Sequence, residues 1–280
     1  MAVKIVTDTL SDITDGLAKK YDLTVVPLYV RFGEKVFKDR VEMTTDDFYY
    51  RLQHDQNWPS TTQPTPNDFL NVFNRLAEET DEILCINLSH KLSGTYESAC
   101  AAKKMLTKNC RVEVIDSMTV VMGLGTIVID AAKALQRGAK MDELVARVQK
   151  NMIRSQAVMY FDTLKYLAKG GRIGRAQGLL GSLLSVKPIL RMEDGEVAPL
   201  TRVRSRQAGL DYLYNFVKNL KKIDELAVEY ATTPEDAREL TDRLNEIFPR
   251  ERIILSTVSP VIGTYTGPHV VCVAAIADKQ

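Results

Sequence analysis

Branched and apolar residues gather in short runs at residues 4–6, 24–29, 82–88 and 111–115, with longer, more polar stretches between them. Runs of that length and composition predict strands, and strands alternating with helices predict a parallel sheet covered by helices. Thr65-Pro-Asn-Asp supplies a cap residue, a proline at the first helical position and an acid three residues on, so a helix is predicted from there through Glu79. Residues 120–135 carry only two charges, Asp130 and Lys133, with Gly123 and Gly125 inside, the pattern of a buried helix pressed against other backbone.

A second, polar helix follows over residues 141–155, then a strand at 157–161 and a glycine-rich basic loop, Lys169-Gly-Gly-Arg-Ile-Gly-Arg. Beyond it, runs at 186–191 and 196–200 flank Glu193-Asp-Gly, a turn signal that predicts a hairpin and so brings in antiparallel pairing. Helices over 205–220 and 234–247 alternate with strands at 226–231, 253–257 and 270–276. The expected fold is therefore α/β in two domains. Residues 1–160 form a three-layer domain on a parallel sheet, and residues 161–280 form a mixed-sheet α/β domain, with no internal repeat.

Lys and Arg number 37 against 36 Asp and Glu, a formal net charge of +1, which argues against binding to a phosphate backbone and so against nucleic acid. Cys85, Cys100, Cys110 and Cys272 stand far apart, and the histidines are three, His54, His90 and His269; neither a metal site nor a disulfide framework is expected. The first residues turn polar at Thr7 and Asp8, unlike a signal peptide, and no uncharged apolar stretch reaches the roughly 18 residues of a membrane span. A cytoplasmic location is expected.

In open parallel α/β sheets ligands sit beyond the carboxyl ends of strands, so the residues following each strand are the informative ones. After the first strand comes Thr7-Asp-Thr-Leu-Ser-Asp, whose short polar side chains suit either helix capping or a cleft wall. Ser60-Thr-Thr-Gln-Pro-Thr-Pro holds three hydroxyls in a row, extended by the prolines that follow. After the strand at 82–88, Ser93 is placed to begin a helix, and Gly94 permits close approach of a ligand to the helix's unpaired amides. Thr61, Thr62 and Ser93 together would make a hydroxyl and amide cradle for one small oxygen group such as a carboxylate, although a plain helix cap also accounts for Ser93.

The basic loop fits neither phosphate-loop spacing, which excludes a nucleotide on that motif. Residues 176–186 are uncharged and mix leucines with glycine and serine, as a core helix would or as the lining of a narrow apolar tunnel. A nucleophile reading, with Ser93 near His90 and Asp116 ending another strand, lacks a Gly-x-Ser-x-Gly elbow and has few histidines to draw on.

Taken in order, Thr7-Asp-Thr-Leu-Ser-Asp, Ser60-Thr-Thr-Gln-Pro-Thr-Pro, Leu92-Ser-Gly-Thr-Tyr-Glu-Ser-Ala, Asp162-Thr-Leu-Lys-Tyr-Leu-Ala-Lys-Gly-Gly-Arg-Ile-Gly, Leu180-Gly-Ser-Leu-Leu-Ser-Val-Lys-Pro-Ile-Leu, Asp194-Gly-Glu-Val and Ile262-Gly-Thr-Tyr-Thr-Gly-Pro resemble the DegV family from Val3 to Ala277. The resemblance implies a non-enzymatic protein without cofactor that holds a long-chain fatty acid of the palmitate, stearate or oleate class in an apolar tunnel at and beyond the domain interface. It implies a carboxylate site at Thr61, Thr62, Ser93, Gly94, Tyr265 and Thr266, and a tunnel lined by Leu180, Leu183 and Leu184. It further implies a fatty acid kinase as partner, to which the bound carboxyl is presented for phosphorylation, and leaves room for transient contact with a membrane surface. Arg172, Arg202, Arg204 and Arg206 are candidates for docking that partner or sensing the head group, or else for a solvated basic face.

The chain departs from the family pattern in three places. Tyr265 stands where the family commonly has histidine, the usual Gly-Pro-Gly ends here in His269, and Leu10 occupies a position that is often a hydroxyl residue. Tyrosine donates a hydrogen bond but carries no positive charge at neutral pH. Two other readings stand beside the carrier: an acyl-processing enzyme, esterase or acyltransferase, using Ser93, and a regulator that senses lipid supply through the same pocket.

Overall fold

The computed structural model describes residues 3–179 and 186–278. In chain order the elements are β1 (Lys4–Asp8), α1 (Asp15–Lys20), β2 (Leu23–Val26), β3 (Tyr29–Phe32), β4 (Lys35–Lys38), α2 (Thr45–His54), β5 (Ser60–Thr62), α3 (Pro66–Leu76), β6 (Glu82–Asn87), α4 (Thr95–Met105), β7 (Arg111–Asp116), α5 (Met122–Gln136) and α6 (Met141–Arg154). They continue with β8 (Ser155–Tyr160), α7 (Lys165–Lys169), β9 (Lys187–Glu193), β10 (Glu196–Val203), α8 (Arg206–Lys218), β11 (Lys221–Tyr230), α9 (Pro234–Leu244), β12 (Ile254–Thr257), α10 (Pro260–Thr266) and β13 (Val271–Asp278).

The first sheet is parallel with strand order β2-β1-β6-β7, as the alternation of strands and helices predicts. Its two faces differ. Val6, Ile83 and Cys85 pack with Phe69, Phe73, Ala99 and Ala102 of α3 and α4, while Ile5, Leu84 and Ile86 face α5 and α6. The second sheet is mixed, in the order β10-β9-β8-β13-β11-β12; α8 and α9 cover one face, and α5 and α6 fill the other. Strand β8, beginning at Ser155, pairs with β13 and β9 and so goes with this second sheet.

Helix α5 is thus held between both sheets, which explains why almost none of it is polar. At Gly125 the helix lies against the carbonyl of Ser11, where any Cβ would collide with backbone. Its one acid, Asp130, is buried and accepts from Arg147 Nε at 2.5 Å and Nη2 at 2.7 Å and from Asn151 Nδ2 at 2.5 Å, which fastens α5 to α6.

Residues 24–29 do not make the single strand that their composition suggests. Pro27 has no N–H to give a ladder, so β2 stops at Val26, and the chain leaves the parallel sheet to start β3 at Tyr29. Strands β4, β3 and β5 form a small antiparallel sheet, in which Val30 pairs with Thr61 and Tyr29 with Thr62. Antiparallel pairing therefore enters the first half of the chain as well as the second. The hairpin predicted at Glu193-Asp-Gly is present between β9 and β10, with a register shift near Pro199. Among the described residues no helix is long and apolar enough to cross a membrane.

Candidate functional site

Strand order 2-1-6-7 places a topological switch point at the carboxyl ends of β1 and β6, where the chain departs in opposite directions from adjacent strands. The buried Asp8 fixes that opening. Its Oδ2 accepts the Leu88 N–H and Asn87 Nδ2, both at 3.0 Å, and its Oδ1 accepts the Leu10 N–H at 3.0 Å. Asp8 thereby caps the short turn Thr9–Ser11, and burial pushes its carboxyl up to about 6 despite these three donors. The run Thr7-Asp-Thr-Leu-Ser-Asp is structural in this sense: Thr7, Asp8, Thr9, Ser11 and Asp12 are all buried.

A cavity of about 280 Å³ begins there. Leu10, Leu28, Leu88, Val120, Val121, Met159, Phe161, Val197 and Val261 make most of its wall, so segments that follow the parallel strands and residues of the second sheet enclose it. An engineered void of roughly 150 Å³ lined by such residues stays dry and takes up benzene, and this one is about twice as large. One wall residue is strained. Val121 has φ of 53°, outside the range a β-branched residue normally adopts. The Met122 N–H that follows is accepted by Glu229 Oε2 at 3.3 Å.

Leu92, Leu167 and Ile262 add to this wall, and the rest of the lining is polar: Thr61, Thr62, Gln63, Ser93, Arg172, Tyr265 and Thr266. Thr62, Gln63 and Arg172 are exposed and Thr61, Ser93 and Tyr265 half-buried, so this end meets solvent. The Tyr265 phenol and the Thr61 hydroxyl share a hydrogen bond, and the Arg172 guanidinium lies 5.2 Å from the centre of the Tyr265 ring. Arg172 also donates to the Gly170 carbonyl at 3.0 Å and, at 3.4 Å, to that of Leu92. Among the described residues it is the one charged side chain in the cavity lining. Thr266 spends its hydroxyl on the Ile262 carbonyl, one helical turn back, at 3.3 Å.

The structure brings Thr61, Thr62, Ser93, Tyr265, Thr266 and Arg172 to one cavity; of the other predicted residues that it describes, Gly94, Arg202, Arg204 and Arg206 are not in the lining. Ser93 is not a helix cap. Gly94 holds that position with no side-chain cap, and the Ser93 hydroxyl instead pairs with Thr95 Oγ1 at 2.9 Å. Gly94 lies behind the lining, its N–H donated to Gln63 Oε1 at 3.1 Å. Arg202 and Arg204 are exposed at the end of β10 and just beyond it, away from the lining. Arg206 is held by Asp236, Thr233 and Asp162. Leu180, Leu183 and Leu184 fall outside the described residues.

The His90 ring turns Nδ1 to Asp116, so the Ser93 hydroxyl has Thr95 and not a histidine as its partner among the described residues. No group of acids, histidines and cysteines suited to a metal ion occurs among them.

Behind the polar end lies a buried charged cluster that the sequence did not reveal. Asp12 Oδ1 accepts the Ser259 N–H at 3.1 Å, immediately before α10, and Arg40 Nη2 at 3.3 Å. Arg40 also donates to the carbonyls of Ile13 and Thr257, and Ser256 Oγ donates to the Asp12 carbonyl. These bonds tie the β1 end of the parallel sheet to the helix that carries Tyr265 and Thr266. Glu229 and Asp39 complete the cluster. Burial, reinforced by the neighbouring Asp12, pushes Glu229 well above the usual carboxylate range, and burial pushes Asp39 up to about 7.

Two sheets sharing an apolar cavity with one polar, solvent-facing end define a protein built to hold a small molecule with an apolar body and a polar tip. A family model described as "Uncharacterised protein, DegV family" matches residues 2–278, and the chain belongs to the DegV family. A DegV domain-containing protein of Caldanaerobacter subterraneus is 38% identical over 95% of both chains. Among solved structures, the DegV family protein from Thermus thermophilus described for its fatty acid binding superposes with a TM-score of 0.91 at 29% identity, over 99% of this chain and 100% of that one. DegV of Bacillus subtilis, described as a fatty acid binding protein, gives 0.90 at 26% identity, over 99% and 100%.

Proposed function

We propose that this protein binds a long-chain fatty acid, with the alkyl chain in the apolar cavity and the carboxylate at the solvent-facing end among Thr61, Thr62, Ser93, Gly94, Tyr265 and Thr266. The observation that carries this reading is the division of one cavity into a wall of leucine, valine, methionine and phenylalanine and an end of hydroxyls with a single cation, Arg172. A carboxylate cannot be buried unpaired without a large penalty, whereas an alkyl chain gains by leaving water, so the lining selects the orientation. The fatty acid binding described for the Thermus thermophilus and Bacillus subtilis proteins supports the same reading.

The exposure of Thr62, Gln63 and Arg172 leaves the head group within reach of a second protein. This favours a carrier that presents the carboxyl group to a fatty acid kinase, with Arg172, Arg202 and Arg204 on the docking side, and palmitate, stearate or oleate as the cargo. Purified protein, denatured and extracted with organic solvent, should release one such acid per chain on mass spectrometry. An extract free of lipid, together with no binding of added palmitate, would overturn the proposal. Addition of the kinase and ATP should convert the released acid to an acyl phosphate, trapped as the hydroxamate; unchanged acid would remove the kinase role and leave the carrier.

A further inference from the structure

Gln63 sits on the polar rim of the cavity, directly after the hydroxyls of Thr61 and Thr62. Its amide lies flat across Gly94. A Cβ on Gly94 would stand 2.5 Å from both Gln63 Nε2 and Oε1, so a residue with any side chain there would push the amide away. The Gly94 N–H donates to Gln63 Oε1 at 3.1 Å, and since an N–H needs an acceptor, this bond fixes which end of the amide is oxygen. The amide nitrogen is consequently the end left to face outward, and among the described hydrogen bonds none takes up its protons.

One N–H at the start of α4, that of Gly94, is thus already spent, and its donor capacity is relayed one side chain further, to Gln63 Nε2. Resting on the fatty acid reading above, we infer that Gln63 is a positioning and specificity residue for the head group: its Nε2 donates to the carboxylate oxygen and is held on target by Gly94. The rim then discriminates by charge. The hydroxyls of Thr62 and Ser93, one proton of the Thr61–Tyr265 pair and the Gln63 amide nitrogen are the donors there, and Arg172 adds a positive charge, so an ionised carboxylate is favoured over a neutral alcohol or ester of the same chain.

The test is titration of the wild type, Gln63→Glu and Gln63→Leu with palmitate and with hexadecanol at pH 8, with melting curves confirming the fold. A glutamate keeps the acceptor for the Gly94 N–H but turns the outward donor into a negative charge. Gln63→Glu should weaken palmitate at least 10-fold, and Gln63→Leu roughly 10- to 100-fold, as expected for one hydrogen bond to a charged group. Hexadecanol should change less than about threefold in either variant. Equal losses for acid and alcohol would reduce Gln63 to a shape-filling role and overturn the inference, as would palmitate affinity unchanged in Gln63→Glu. Failure of the wild type to bind palmitate would instead overturn the fatty acid reading itself.

Discussion

The Thr61 hydroxyl and the Tyr265 phenol, 204 residues apart in the chain, are joined by a hydrogen bond across the mouth of the cavity. It links β5 of the small antiparallel sheet to α10, and it fills with a neutral donor the place where the family commonly carries a histidine. Tyr265→Phe keeps the ring beneath Arg172 and removes only this bond. The variant should lose about 1 kcal/mol of stability, read from denaturant unfolding, and bind palmitate about fivefold more weakly. Loss of binding altogether would mean that the phenol alone secures the head group.

The apolar wall should matter more to affinity than any single hydroxyl. About fourteen buried methylenes at about 0.8 kcal/mol each contribute roughly 11 kcal/mol gross, whereas one hydrogen bond to a charged group nets about 1.5 to 3 kcal/mol. Val197→Phe, which fills the cavity from β10, should therefore weaken palmitate binding more than Thr62→Ala or Ser93→Ala does. The three titrations, run beside melting curves, decide the order. Normal binding in Val197→Phe with none in the hydroxyl variants would reverse this ranking.

The strands of both sheets and the long helices were legible because each buries one face or two and so writes its period into the chain. The buried helix α5 was legible from its scarcity of charge, and its two charges, Asp130 and Lys133, are each paired, with Arg147 and Glu225. The three-stranded sheet was not legible: β4 and β5 are only 4 and 3 residues long, too short to show alternation, and Pro27 disguised the break before β3. Thr61, Thr62 and Ser93 could be grouped by their places beside strand ends and a helix start, but Tyr265 joined them only through family motifs, since nothing local links residue 61 to residue 265. The greasy wall from Leu10, Leu28, Met159 and Val197 was invisible for the same reason, each residue reading as ordinary core. Gly94 and not Ser93 holds the cap position, with its N–H on the Gln63 amide oxygen and the Ser93 hydroxyl on Thr95.

Asp130 supplies a stability test that is independent of any ligand. Its carboxylate is buried and accepts three hydrogen bonds from α6, while Arg147 is itself partly exposed. In Asp130→Ala the arginine can recover water but Asn151 cannot, so the loss should lie near the lower end for a broken buried pair, about 3 kcal/mol. Urea unfolding measures it; a loss below about 0.5 kcal/mol would show the clamp between α5 and α6 to be dispensable.

Asp39 makes the stability of the fold depend on pH. Burial raises this carboxyl to about 7, the neighbouring Asp12 adds to the rise, and Thr9, Arg40 and the Val261 amide oppose it. Between about pH 4 and 7 the unfolded chain has released the proton that the folded protein still holds, so the unfolded state binds fewer protons and stability falls as pH rises. The slope from this group approaches about 1.4 kcal/mol per pH unit within that window and vanishes above it, once both states are ionised. Asp8, raised to about 6 by burial, adds a fall of the same sign that ends about one pH unit earlier. Asp39→Asn abolishes the first contribution. Its stability relative to wild type should therefore increase from pH 5 to pH 8, measured by urea unfolding at each pH. A difference that stays constant across this range would show that Asp39 is already ionised in the folded protein at pH 5 and that Arg40 outweighs its burial.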